Sequence, residues 1–331
     1  MRNVTRGAVA LFFVSAAIGI MAAGVPADAP WEALARDNAC PCSQEAATPR
    51  LVTVESTYLG LSQGPLRLAC LASLPKGVLL QAGKVAITDK QLTAEIAKAK
   101  PDMQTVLKKH GFFMVEQMAT RQLLLAEAHD WATETKRDTK KDTDATLIQA
   151  YLKSIAARVM VSDAEVQAFY QANKEMVGGA SYDSVAKELK AYVLEQKQQE
   201  AVDAHINMLS VRTPVEVDRE WLKGQASTML DNPVDKARRS GKPSMVDFGR
   251  GGCRPCDMMT PILDELKKTY AGQCNVLFCH VGENPMLAAR YNVQSIPVQV
   301  FFDRDGNEVF RHVGFFPKEQ ILAKLAELGV K

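Results

Sequence analysis

Met245-Val246-Asp247-Phe248-Gly249-Arg250-Gly251-Gly252-Cys253-Arg254-Pro255-Cys256-Asp257-Met258-Met259-Thr260-Pro261 is the stretch whose reading decides the fold. It reads as a buried strand over 245–248 that passes through a glycine turn into a helix opening on two cysteines spaced C-x-x-C. A cysteine at a helix N-terminus meets unpaired N–H groups and the positive end of the helix dipole, and both favour the thiolate. The second cysteine, one turn on, is close enough to close or open a disulfide with the first. Pro255 stiffens the loop between them, and Arg254 adds positive charge beside Cys253. The spacing alone also fits half of a zinc site, so the surroundings have to decide.

Asp247 precedes Cys253 by six residues, and Pro261 follows Cys256 by five, opening the run Pro261-Ile262-Leu263-Asp264-Glu265-Leu266. Further on, Tyr291-Asn292-Val293-Gln294-Ser295-Ile296-Pro297 leads into an apolar strand at 298–302. After it come the turn Asp303-Arg304-Asp305-Gly306-Asn307, a strand at 308–312, Gly314 and a closing amphipathic helix. In these positions residues 228–331 resemble the thioredoxin family. The resemblance implies an α/β fold with a central mixed sheet flanked by helices. It also implies a nucleophile at Cys253, a resolving thiol at Cys256, a buried carboxylate at Asp247 that exchanges protons with Cys256, and a cis-proline at Pro297 packed against the cysteine pair. Loop, turn, proline and element order agree with one another. One departure stands out. The family has Trp before the first cysteine and Gly after it, where this chain has Gly252 and Arg254. The dipeptide Arg254-Pro255 and its charge set thiolate stability, and potentials in related folds differ by well over about 100 mV.

The chain as a whole has 331 residues and a formal net charge of +2, enough length for two or more domains and no charge excess pointing to nucleic acid. Met1 onward reads as an export signal or N-terminal anchor over 1–29: Arg2 and Arg6 precede an uncharged, mainly apolar run at 8–23 and then small residues. A segment of this kind points to a bacterial periplasm, where structural disulfides form readily. Residues 30–82 form a cysteine-containing N-terminal segment with a possible short strand within 50–61. In it Cys40, Cys42 and Cys70 have no histidine beside them to complete a zinc site. A structural disulfide from Cys70 to Cys40 or Cys42, and a redox relay to the C-terminal cysteines, both remain open.

From residue 83 the pattern turns to long helices. Thr88-Asp89-Lys90-Gln91 is a capping box after a short strand at 84–87. Amphipathic helices are expected at 111–129 and 144–158, joined by a solvated loop at 133–143, and a long helix at 184–209. A strand at 213–217 is expected to pair with 84–87. The run Val161-Ser162-Asp163-Ala164-Glu165-Val166-Gln167-Ala168-Phe169-Tyr170-Gln171-Ala172-Asn173-Lys174-Glu175 is similar to the helical chaperone module of SurA and trigger factor. That resemblance covers 83–217 and implies a surface for unfolded chains. No parvulin domain fits after Gly178-Gly179, so prolyl isomerase activity is not carried over. Residues 218–232 read as a linker and 233–331 as the thioredoxin-like domain, whose Cys274 and Cys279 fall on opposite faces of one strand and read as buried free thiols.

The expected fold class is therefore α+β and multidomain, a mainly helical SurA-like module followed by an α/β thioredoxin fold. The expected function is an exported protein-disulfide oxidoreductase, a reductase first, with an oxidase or isomerase and a non-catalytic chaperone as alternatives. Neither metal nor organic cofactor is expected beyond the redox-active disulfide. The partners implied are disulfide-bearing or unfolded protein clients and a membrane electron donor of the CcdA or DsbD kind.

Overall fold

The computed structural model describes residues 52–172 and 180–331. The expected export segment at 1–29, Cys40, Cys42 and residues 173–179, which include the last three of the run read over 161–175, lie outside the described residues. The fold is α+β, helical segments with two four-stranded mixed sheets. The chain divides into two units, one made of Met1–Gln117 and Thr213–Lys331, the other of Met118–Arg212. Among the described residues no helix is long and apolar enough to cross a membrane.

In the first unit, strands β1 (Cys70–Ala72), β2 (Val78–Ala82), β3 (Val85–Thr88) and β4 (Glu216–Asp218) form a sheet in the order β1-β4-β2-β3. This corrects two expectations. Within 50–61 there is a short helix, α1 (Val54–Thr57), because Thr53 and Ser56 close a capping box at its start. The strand that follows Thr213 does not pair with β3. It lies between β1, to which it runs parallel, and β2, to which it runs antiparallel. The turn at Gly77 (φ 82°) leads into β2, whose Leu80 is fully buried, and β2 takes the place beside β4 while β3 pairs on its far side. The capping box at Thr88 and Gln91 starts α2 (Asp89–Ala97), which is followed by α3 (Pro101–Lys109). Cys70 is buried and disulfide-bonded.

The second unit holds most of α4 (Gly111–Glu134), with α5 (Asp144–Ala156), α6 (Asp163–Ala172), α7 (Tyr182–Asn207) and α8 (Leu209–Arg212). Helix α4 runs five residues past its expected end at 129, because Ala132 is still buried in the unit. Helix α7 packs against both α5 and α6. A polar cluster joins the helices: Glu127 accepts from Arg212 Nε at 2.9 Å and contacts His205 Nε2 at 2.7 Å, and Tyr151 Oη lies 3.2 Å from the same ring nitrogen.

Residues 219–229, read from the sequence as part of a connection, form α9 (Arg219–Met229). Asp218 caps it by accepting from Trp221 N at 2.9 Å, and Leu222, Ala226 and Met229 are buried. Helix α10 (Pro233–Arg238) follows, capped by Asn232 with proline in its first turn. The second sheet then builds in the order β6-β5-β7-β8 from β5 (Ser244–Gly249), β6 (Asn275–His280), β7 (Val298–Phe302) and β8 (Glu308–Val313). The helices of this part are α11 (Arg254–Thr269), α12 (Pro285–Arg290) and α13 (Lys318–Glu327). Strand β5 is central, parallel to β6 and antiparallel to β7, and every one of its residues is buried. Two cores form on the two faces. One gathers Met245, Met259, Leu263, Cys274, Phe301 and Ile321. The other gathers Val246, Phe248, Cys279, Tyr291, Val300 and Phe302. Strand alternation thus sends Cys274 and Cys279 to opposite sides, where both are free thiols, and burial pushes each up to about 11.

Candidate active site

The site is built at the end of β5. Strand β5 stops at Gly249, the chain turns through Gly251 and Gly252, and Cys253 caps the N-terminus of α11 with extended backbone. Gly252 has φ 75°, a left-handed conformation that a side chain tolerates only at a cost of roughly 1–2 kcal/mol.

Cys253 and Cys256 are joined as a disulfide with Cα atoms 5.2 Å apart. Their exposures differ: Cys253 is half-buried, whereas Cys256 is only 2% exposed. Arg254, the first residue of α11, is exposed, and Pro255 sits beside it in the first turn. Pro261 lies inside the helix.

Asp247 is fully buried on the face of β5 that meets α11. Its Oδ1 accepts from Gln299 Nε2 at 2.7 Å, and its Oδ2 is buried without a partner. Burial raises the carboxyl to about 6, against the opposing pull of the Gln299 amide and the Lys267 charge. Gly249 locates Oδ2 relative to the cysteines. A Cβ built on Gly249 would lie 3.4 Å from Cys256 Cβ and 3.5 Å from Asp247 Oδ2. The carboxylate and the buried cysteine therefore border one small space, left open by the missing side chain. The ring of Phe278, 41% exposed, closes that space from outside, its Cε2 only 3.0 Å from the same point.

The Ile296–Pro297 peptide bond is cis. Phe248 pairs with Val298, so the next step along the register sets Pro297 opposite Gly249, at the end of the sheet where the cysteine turn begins. The geometry thus brings Cys253, Cys256, Asp247 and Pro297 to one end of the sheet. His280 and His312 have local partners: His280 Nδ1 meets Glu283 at 3.9 Å, and His312 stacks on Phe316 at 4.3 Å. Gln299 was not anticipated. Its signal was a polar residue in the middle of the otherwise apolar strand Val298-Gln299-Val300-Phe301-Phe302.

The raised carboxyl has a consequence for stability. With its folded value at about 6 against 3.8 in the unfolded chain, Asp247 binds its proton more tightly when folded. The stability this supplies is complete below about pH 3.8 and is lost as the pH rises through about 6. Asp247→Asn, which stays neutral and keeps a hydrogen-bonding oxygen for Gln299, is therefore expected to stabilise the protein near pH 7.5 by on the order of 3 kcal/mol. Denaturation of both proteins across pH checks this; the gain should vanish below about pH 4.

Comparison with known proteins matches the C-terminal part of the chain. A family model described as a thioredoxin-like domain matches residues 230–329. The thioredoxin of Alicyclobacillus acidocaldarius is 36% identical over 101 residues, 30% of this chain and 95% of that relative. The thioredoxin of Staphylococcus aureus is 46% identical over 93 residues, 28% of this chain and 88% of that relative. Among solved structures, a chloroplastic thioredoxin z is 24% identical, covers 29% of this chain and 86% of its own, and has a TM-score of 0.27.

Proposed function

The chain belongs to the thioredoxin family through its C-terminal part, and from that premise we propose that it is an exported protein-disulfide reductase working through Cys253 and Cys256. The observation that carries this reading is the unequal pair: a half-exposed sulfur at a helix N-terminus bonded to a buried one that shares a small space with an unpartnered carboxylate oxygen. In the reduced protein, the Cys253 thiolate attacks one sulfur of a client disulfide. The client's S–S bond breaks, a mixed disulfide forms, and the departing client thiolate takes a proton from water. The Cys256 thiol then gives its proton to Asp247, and its sulfur attacks Cys253. The second client thiolate leaves, and the Cys253–Cys256 disulfide remains. Two electrons have passed from the protein to the client. Pro297 bounds the groove that receives the client backbone, and Arg254 and Pro255 set the stability of the Cys253 thiolate. The chemistry uses the cysteine pair itself, with no organic cofactor.

A periplasmic location follows from the N-terminal segment, and with it the need for electrons from across the membrane. A thiol-transfer protein of the CcdA or DsbD kind would regenerate the dithiol. The helical residues of the SurA-like stretch would hold unfolded clients near the site and raise their effective concentration. In unit Met118–Arg212 the exposed large apolar side chain among the described residues is Met160, at 84%, so such holding would work mainly through half-buried apolar groups.

Equilibration with glutathione buffers tests the direction. A reductase should show a potential near that of thioredoxin, about −270 mV, and should accelerate insulin reduction by dithiothreitol. A potential near about −120 mV would turn the reading over to an oxidase.

A further inference from the structure

Gln299 and Asp247 are direct register partners on adjacent antiparallel strands, so their side chains stand side by side on the face that meets α11. Both are fully buried. The bond between them, Gln299 Nε2 to Asp247 Oδ1 at 2.7 Å, leaves two oxygens over: Asp247 Oδ2 and Gln299 Oε1 are each buried without a partner. Every other residue of β7 is apolar, and the whole strand is buried. Burying an amide there costs free energy that a leucine would not, and leaving one of its acceptors unpaired costs more.

We propose that Gln299 is a positioning residue for proton exchange, holding Asp247 by Oδ1 so that Oδ2 borders the space it shares with Cys256. The inference rests on the thiol-exchange reading given above. Two oxygens of a free carboxyl are interchangeable by rotation about one bond. Anchoring Oδ1 removes that freedom, and Oδ2 is the oxygen 3.5 Å from the point over Gly249 that also lies 3.4 Å from Cys256 Cβ. In the resolving step the Cys256 S–H proton goes to Oδ2, the Cys256 sulfur bonds to Cys253 Sγ, and the client sulfur leaves with the electron pair of the broken bond. The amide N–H stabilises the carboxylate before the proton arrives.

The other groups facing Asp247 leave this assignment to Gln299. On β6 the register partner is Phe278, which carries no charge. From α11 come Cys256 and the Lys267 charge, which lowers the carboxyl as the amide does. Along β5 its neighbours on the same face are Met245 and Gly249, which are neutral.

The experiment uses the full-length protein. Gln299→Met keeps the length of the side chain and removes the amide. Followed by NMR of labelled aspartate carboxyl carbons, the Asp247 midpoint should move up from about 6 by about one pH unit. The rising limb of turnover against pH should move up with it, and in an Asp247→Asn background the same substitution should leave the profile where it is. In the wild-type protein, the side-chain amide signals of Gln299 should titrate with the Asp247 midpoint, a readout that stands if the variant fails to fold. An unmoved midpoint in Gln299→Met, or amide signals flat across the carboxyl's titration, would overturn the proposal. Absence of any turnover with the amide and carboxyl still titrating together would count against the thiol-exchange reading instead and leave the positioning intact.

Discussion

Cys253→Ser is expected to abolish catalysis of insulin reduction, by at least about a thousandfold, which corresponds to roughly 4 kcal/mol of transition-state stabilisation. Cys256→Ala is expected to fail differently. The reason is the difference in exposure. A client sulfur can reach Cys253, which is half-buried at the mouth of α11, but not Cys256, which is 2% exposed. A serine hydroxyl at 253 stays protonated where a thiol ionises, so the first bond never forms. With alanine at 256 the first bond does form, and nothing is left inside the protein to break it. That variant should accumulate a stoichiometric mixed disulfide, seen as a mass increase equal to the client and reversed by dithiothreitol. Clients caught in this way from an extract of exported proteins would also reveal whether an electron donor is among them. Full turnover by Cys253→Ser, or capture of clients through Cys256, would sink the assignment of the two roles.

What could be read in advance, and what could not, divides by the range of the interaction. The turn from β5 into α11 was legible because its signals are local: a C-x-x-C spacing, a proline five residues on, and an acidic residue six residues back in an apolar strand. The capping box at Thr88 and Gln91 was legible for the same reason. The first sheet was not. Its strands β1 and β4 are three residues each and pair across 146 positions, as Cys70 with Glu216, so no periodicity in either could announce the partner. The end of α4 was set five residues too early because Thr133 begins a polar run, whereas Ala132 still had a buried surface to cover. Gln299 shows the same limit at the site itself. The strand was read correctly, but the purpose of its one amide depends on Asp247, 52 residues earlier, which only the register of β5 and β7 brings opposite.

Asp235→Ala should be the most destabilising single substitution in the thioredoxin-like part outside its large apolar side chains, at about 3–5 kcal/mol. Asp235 is fully buried and Arg290 is 4% exposed. Three further bonds tie their ion pair to its surroundings: Tyr291 Oη donates to Asp235 Oδ1 at 2.8 Å, Asn232 caps the backbone N–H of Asp235 at 3.0 Å, and Arg290 Nη1 donates to Met229 O at 3.2 Å. Removing the carboxylate leaves a buried guanidinium without its ion-pair partner, and burial penalises the charged form severely. Tyr291, also fully buried, loses the acceptor for its hydroxyl and with it the anchor for a ring that packs on Phe248 and Phe302 at 5.5 and 6.0 Å between centroids. The ion pair itself contributes little net stability against an apolar alternative, so the cost belongs to the broken pair, not to its absence. Asp235→Leu combined with Arg290→Met should therefore recover a large part of the loss, a coupling of about 2 kcal/mol or more in a double-mutant cycle. Unfolding of a chain with two units is not one transition, so the measurement should report on this part alone. Cys274 and Cys279 provide that report: both are buried free thiols, and with Cys253 and Cys256 oxidised, their labelling rate by a thiol reagent follows the opening of the core around them. Labelling should accelerate by about two to four powers of ten in Asp235→Ala and fall back towards the wild-type rate in the double variant. Equal rates in the single and double variants would mean that the stranded charge is not what destabilises the fold.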